Sequence, residues 1–365
     1  MIVGFPKRCA QRFDQFNRKR VALLWTVKGN SCASFGHFIV KVIKGEFHDL
    51  CSFSAVGSTM RLSLSWSNLM AATEPVRTIC QEDIETFHRD GAVLLKGILD
   101  LSWVDTLARG LEFIHDHPDG MSAGVNMPLR IDQFPASHSS DLQHLLDHSP
   151  IASIVGSVLA APVRFYMDQM FYKPPGRVFP SAWHQDTSYY NIEGHQVVRA
   201  WVCADPAPKD VSIEIVRGSH LWNITYRPPV GMDPASDPKG AEKIERDFAA
   251  GKILIGREAH EHWTYFDSFL DPSLPPLPDI EANRDSFDIL GWDYEPGDVL
   301  LFHGNILHSA RGGAELSHPR RAHASLWAGP DVCYLRRRSQ AIPDPIGLYD
   351  FVPRDGQPLA DFETV

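Results

Sequence analysis

Trp183-His184-Gln185-Asp186 sets an imidazole and a carboxylate two positions apart, and His308 follows much further along the chain. On a strand, residues i and i+2 project to the same side. His184 and Asp186 are therefore expected to point together into the mouth of a β structure, with Gln185 turned away. Two histidines and one carboxylate are the facial set that holds non-haem Fe(II) and leaves positions open for dioxygen and an organic acid. A bare His-x-Asp is also an ordinary pair on a strand, so its weight depends on what surrounds it.

The third ligand must come from another strand. Glu295-Pro296-Gly297-Asp298 reads as a turn and Val299 to Phe302 as a buried strand, and both His303 and His308 follow. Arg320 comes next and opens the strand Arg320-Arg321-Ala322-His323-Ala324-Ser325. An oxygenase that consumes 2-oxoglutarate needs a fixed cation for the distal carboxylate, and the planar fork of arginine binds carboxylate at two points. Arg321 is the wrong neighbour for that task, because one step along a strand reverses the side chain.

The rest of the chain supplies a suitable frame. Gln81 to Asp90 reads as a helix stopped at Gly91, a left-handed C-terminal signal, and Ala92 to Leu95 as a strand. Asp100 to His117 reads as a helix capped by Ser102, with Val104, Leu107, Leu111 and Ile114 at helical spacing. Asp141 to Leu159 reads as a third helix. Beyond Pro162 the segments Val163 to Tyr172, Val197 to Ala204, Ile213 to Arg217, Val299 to Phe302 and Ala322 to Ala328 are short and β-rich, separated by turn formers. Helices first and strands afterwards predict a mainly β fold with flanking helices. The core expected is a double-sheet barrel, a double-stranded β-helix of the jelly-roll, cupin-like type.

Residues 1–69 differ from the remainder, with ten Lys/Arg against three Asp/Glu. They are expected to be an atypical extension, either a targeting segment or the product of an upstream start codon. One catalytic domain is expected over 70–365, with a lid-like insertion at about 226–295, since so long a connection between core strands commonly serves a binding site. The net charge of -10 argues against nucleic acid as a partner. No apolar run reaches the length of a membrane span. The six cysteines contain no Cys-x-x-Cys pair, so a reducing, cytoplasmic setting is expected, or an organelle if 1–69 is a transit segment. The partner expected is a small molecule.

Several motifs together resemble the phytanoyl-CoA dioxygenase family of Fe(II)/2-oxoglutarate oxygenases. They run from Gln81-Glu82-Asp83-Ile84-Glu85-Thr86-Phe87-His88-Arg89-Asp90-Gly91-Ala92-Val93 through Phe171-Tyr172-Lys173-Pro174-Pro175-Gly176 to Trp183-His184-Gln185-Asp186. Ala200-Trp201-Val202, Gly218-Ser219-His220, Gly297 to His308 and Arg320-Arg321-Ala322 complete the series. The resemblance implies that His184, Asp186 and His308 are the iron ligands, with His308 preferred over His303. It implies that Arg320 anchors 2-oxoglutarate and that Trp201 and Lys173 lie beside the co-substrate, although a core Trp and an exposed Lys are the plain alternatives. Fe(II), 2-oxoglutarate and O2 are the implied cofactors. The implied reaction is hydroxylation of an unactivated C–H bond, with desaturation, epoxidation or cyclisation as alternatives. A metal-binding barrel without oxygenase activity is a further one.

The chain departs from the family pattern at Asp210-Val211-Ser212-Ile213, at Arg217, and at Ala310, where a serine can touch 2-oxoglutarate. Retention of Asp186 favours hydroxylation over halogenation. His260-Glu261-His262 also has ligand spacing but falls in the insertion, where a solvated pair is the simpler reading. Arg336-Arg337-Arg338 is either a phosphate site or a solvated basic face. Tyr189 and Tyr190 are expected either to line the substrate pocket or to pack in the core. Trp263, Tyr265, Phe266 and Phe269 in the insertion suggest a sizeable, partly apolar substrate.

Overall fold

The computed structural model describes residues 73–118, 129–178, 180–229, 273–337 and 354–361. It also describes the short segments 22–24, 41–43, 53–56, 59–62 and 122–123, and positions 239, 242 and 246. The chain divides into two units, Met1–Met70 and Ala71–Val365. In the first, Ala22–Leu24 pairs with Lys41–Ile43 and Phe53–Val56 with Thr59–Leu62, both antiparallel.

The second unit opens with α1 (Gln81–Asp90), whose backbone ends at Gly91 in the left-handed region with φ 82. A Cβ there would lie 2.2 Å from Ile306 Cδ1 and 2.4 Å from His220 Nδ1, so both the backbone angle and the space require glycine. β1 (Ala92–Leu95) follows, then α2 (Leu101–Asp116). The cap of α2 is Asp100, not Ser102: the Asp100 carboxylate accepts the Ser102 N–H at 2.9 Å. A carboxylate facing the positive end of a helix is the stronger cap. The helix expected over Asp141 to Leu159 is two, α3 (Ser140–His148) and α4 (Ile151–Leu159). Pro150 forces Ser149 into extended backbone, ψ 161, and ends the first helix there.

Apart from two short pairs, Gly176–Arg177 with Glu315–Leu316 and Ile192–Glu193 with Cys333–Tyr334, the strands that follow are β2 (Ser122–Ala123), β3 (Arg130–Gln133), β4 (Arg164–Lys173), β5 (Ser181–His184), β6 (Val197–Cys203), β7 (Ile213–Val216), β8 (Ile289–Gly291), β9 (Val299–His303), β10 (His308–Ala310) and β11 (Arg320–Ala328). They form two antiparallel sheets, one in the order β1-β9-β6-β11-β4-β3-β2 and a smaller one in the order β5-β10-β7-β8. Neither sheet closes on itself, so the core is an open pair of sheets and not a closed barrel.

The larger sheet is covered on both faces, which explains why its strands read as continuous apolar runs. All seven residues of β6 are buried. Val198, Ala200 and Val202 pack with Leu107 and Leu111 of α2, Leu142 and Leu145 of α3, and Ile154 and Val158 of α4. Trp201 and Cys203, at the alternate positions, pack with Phe302, Ala322, Ala324 and Ile213. The period of two thus separates a helix-facing core from the side that meets the smaller sheet. No helix among the described residues is long and apolar enough to cross a membrane.

Of the insertion expected at 226–295, residues 226–229 and 273–295 and positions 239, 242 and 246 are described. Within Gly240 to Ala250 only Glu242 and Arg246 are, and both are helical and exposed. His260-Glu261-His262, Trp263, Tyr265, Phe266 and Phe269 lie outside the described residues.

Candidate metal centre

His184 is the last residue of β5, and its register partner across the smaller sheet is His308, the first residue of β10. Asp186 is not on the strand, as its spacing had suggested. It begins a 3-10 turn, Asp186–Tyr189, and the backbone rotation of that turn brings the carboxylate alongside both imidazoles. Asp186 Oδ1 lies 3.7 Å from His184 Nε2 and 3.7 Å from His308 Nε2. One ligand atom from each of the three falls within 4.8 Å of the others, the one such group among the described residues.

The protonation states suit a divalent cation. His184 Nδ1 is 2.8 Å from the Ala182 carbonyl and His308 Nδ1 is 3.1 Å from the Ile306 carbonyl. A carbonyl can only accept, so the proton sits on Nδ1 and the Nε2 lone pair faces Asp186. Burial holds both imidazoles neutral, His308 down to about 3, with His184 beside it adding to the effect. Burial alone would push the Asp186 carboxyl up, but Arg199 and the two histidines outweigh it and bring it to about 2. Two neutral imidazoles and one carboxylate are therefore present near neutral pH.

Arg199, which the sequence reading passed over, governs that carboxylate. Its Nε donates to Asp186 Oδ2 at 2.8 Å, while Nη2 donates to Tyr190 Oη at 2.7 Å and to Gln169 Oε1 at 2.9 Å. Asp186 thus offers Oδ2 to the guanidinium and Oδ1 to the histidine pair. The signal lay in β6: a lone charge in Val197-Val198-Arg199-Ala200-Trp201-Val202-Cys203, two residues from Trp201 and hence on the cavity face.

His184, Asp186, His308, Arg320, Trp201 and Lys173 all line one cavity between the two sheets. Arg320 opens β11 opposite Lys173 of β4. Its guanidinium is buried, 5.7 Å from the Trp201 ring, and its Nε and Nη2 have no hydrogen-bond partner. A buried guanidinium with two vacant N–H directions is costly unless an anion completes it. Lys173, expected beside the co-substrate with solvent exposure as the plain alternative, lines the cavity and is 4% exposed. Burial, with Arg320 adding to it, lowers its ammonium to about 6.

Other predicted positions resolve as follows. His303 faces away: its Nδ1 accepts the Asn305 N–H at 3.0 Å and its ring packs against His220. Arg321 turns to Asp205 and Glu112, at 2.8 and 3.0 Å. Tyr189, Tyr190 and Ala310 line the cavity. Arg337 donates to the Tyr190 and Ile192 carbonyls and so fastens a loop instead of presenting a phosphate site. Arg338 lies outside the described residues.

Residues 87–322 match the family model described as phytanoyl-CoA dioxygenase (PhyH). The chain belongs to the phytanoyl-CoA dioxygenase family. Its fold is shared by solved structures of low identity. The non-haem alpha-ketoglutarate-dependent carbocyclase SnoK from nogalamycin biosynthesis is 18% identical with a TM-score of 0.54, over 77% of this chain and 94% of that one. EctD from S. alaskensis with bound Fe is 15% identical with a TM-score of 0.53, over 76% and 86%. The epimerase SnoN from nogalamycin biosynthesis is 17% identical with a TM-score of 0.51, over 76% and 92%. No curated protein matches the sequence.

Proposed function

We propose that this member of the phytanoyl-CoA dioxygenase family is an Fe(II)- and 2-oxoglutarate-dependent oxygenase that hydroxylates an unactivated C–H bond of a small, partly apolar organic molecule. Lipid-like compounds and secondary metabolites fit that description. The observation that carries this is the pairing, in one cavity, of a neutral-His, neutral-His, carboxylate set with a buried Arg320 whose Nε and Nη2 lack partners. A simple metal-binding barrel has no use for that second feature, whereas a dicarboxylate that reaches from the metal to Arg320 uses both.

In this reading His184 Nε2, Asp186 Oδ1 and His308 Nε2 hold Fe(II). When bound, the iron with 2-oxoglutarate and O2 supplies the oxidising power for C–H hydroxylation, with succinate and CO2 released. The chain's own part is binding and orientation. Arg320 and Lys173 receive the distal carboxylate, and Trp201 forms the wall beside it. Arg199 keeps Asp186 ionised and presents a single oxygen. Tyr189, Tyr190 and the other apolar walls exclude water from the target carbon.

The test is incubation of the purified protein with Fe(II), 2-oxoglutarate, O2 and a metabolite extract. Succinate formation is expected to depend on Fe(II), and one metabolite is expected to gain the mass of one oxygen. A loss of two hydrogens would redirect the reading to desaturation or ring closure. No iron-dependent succinate together with no binding of 2-oxoglutarate would defeat it.

A further inference from the structure

Between the two proposed ligands of the His-x-Asp motif, Gln185 faces away from the cavity and is 1% exposed. Its amide is spent on the backbone of two separate loops. Nε2 donates to the Asn305 carbonyl at 2.8 Å and to the Ile224 carbonyl at 2.9 Å, and Oε1 accepts the Tyr226 N–H at 2.8 Å. Asn305 belongs to the tight turn, 304–307, that delivers His308. That turn is held to the motif again by Thr187, whose N–H donates to the Gly304 carbonyl at 3.2 Å and whose hydroxyl donates to Asn305 Oδ1.

The strand ladder sets the spacing of the ligands only over a short stretch. β10 is three residues long, and its register with β5 shifts between Ser181 and His184. Beyond that short ladder, the turn 304–307 is joined to the segment carrying His184 and Asp186 by side-chain ties. Gln185 spans them alongside Thr187, and both of its N–H groups point at carbonyls.

We propose that Gln185 is a positioning residue that fixes His308 relative to His184 and Asp186. The proposal rests on those three being the metal ligands. Gln185 touches neither metal nor substrate and acts through the turn 304–307. Its isostere glutamate cannot replace it, because a carboxylate would present acceptors to the carbonyls of Asn305 and Ile224 and would push that turn outward.

Co(II), which binds such ligand sets and absorbs visibly, is the probe. Its dissociation constant and saturated spectrum are measured for the full-length wild type, Gln185→Glu and Gln185→Asn. Leu111→Ala, a change in the helix-facing core, is the control for lost stability alone. Gln185→Glu is expected to weaken Co(II) about 10–100-fold, the range for loss of a group that orients a ligand, and to alter the saturated spectrum. Leu111→Ala should lower thermal stability and leave both readouts as in the wild type.

Gln185→Glu that folds and binds Co(II) with the wild-type constant and spectrum overturns the proposal. If that variant does not fold, Gln185→Asn, an amide too short to reach both loops, decides by the same criterion. Failure of the wild type to bind Co(II) would instead overturn the metal reading itself.

Discussion

The two sheets that face the cavity supply it in different ways. The larger one is regular, and its functional side chains stand at alternate positions of long ladders: Gln169, Phe171 and Lys173 on β4, Arg199 and Trp201 on β6, Arg320 on β11. The smaller one is short and irregular, and it gives its candidate ligands at strand ends and from a 3-10 turn. Rigid ladders suit a cation that must wait at a fixed depth for a carboxylate. Strand ends suit three ligand atoms that must converge on one point, but they need outside ties, and Gln185 and Arg199 provide them. The two arginines that line the cavity sharpen the contrast. Arg199 has its charge answered by Asp186, while Nε and Nη2 of Arg320 have no hydrogen-bond partner.

The largest effects are expected at the irregular side. His308→Ala and Asp186→Asn should each weaken Fe(II) or Co(II) by more than about 100-fold, beyond the range for loss of an outer hydrogen-bond partner. His303→Ala, whose ring faces His220, should leave metal affinity near the wild-type value. Equilibrium dialysis with metal analysis separates the outcomes, and metal lost in His303→Ala but kept in His308→Ala would reverse the assignment.

Arg199→Met removes one member of a buried ion pair, and such losses cost about 3–5 kcal/mol. Because Co(II) can neutralise the stranded Asp186, saturating metal should restore part of that stability. Urea unfolding with and without Co(II) measures this, and equal destabilisation in both would show that Arg199 does not act through Asp186.

On the regular side, Arg320→Met should raise the dissociation constant of 2-oxoglutarate by at least about 100-fold, the low end for two charge-assisted hydrogen bonds. Co(II) affinity without 2-oxoglutarate should not change. Calorimetry of both ligands checks the pair.

The smallest effect concerns Lys173. Burial and Arg320 lower it from 10.5 to about 6 in the folded chain. Between those values the unfolded chain binds more protons, so this residue's contribution to stability rises as pH rises through that window. A bound carboxylate favours the ammonium and raises its pKa again. Binding of 2-oxoglutarate near pH 8 should therefore take up part of a proton, and affinity should fall as pH rises above about 6. Calorimetry in buffers of different ionisation enthalpy reads the uptake, which should vanish in Lys173→Met.

The same contrast explains what the sequence revealed. Val197 to Cys203, Val299 to Phe302 and the run from Arg320 were legible because a buried ladder leaves an apolar run with period-two interruptions. The placement of Arg320 on the cavity face, with Arg321 turned to the other side, followed from that period; the Asp205 partner of Arg321 did not. β3 was not legible, because Arg130-Ile131-Asp132-Gln133 is polar in sequence, and its burial is met by tertiary partners: Arg130 pairs with Asp132 at 2.8 Å and donates to the Ile114 and His115 carbonyls. The break at Pro150 was hidden by apolar spacing that carries across it. The geometry of Asp186 was hidden too, since a turn set by Thr187 and Asn305 depends on a loop more than a hundred residues away. Gln185 and Arg199 act through tertiary contacts, which no local spacing announces.

The most direct measurement is the visible charge-transfer absorption of anaerobic protein mixed with Fe(II) and 2-oxoglutarate, the signature of a keto acid chelated to iron. The account predicts a band that requires both additions, persists in His303→Ala, and disappears in His308→Ala. A wild type that gives no band with both present, or a band that survives in His308→Ala and is lost in His303→Ala, would contradict it.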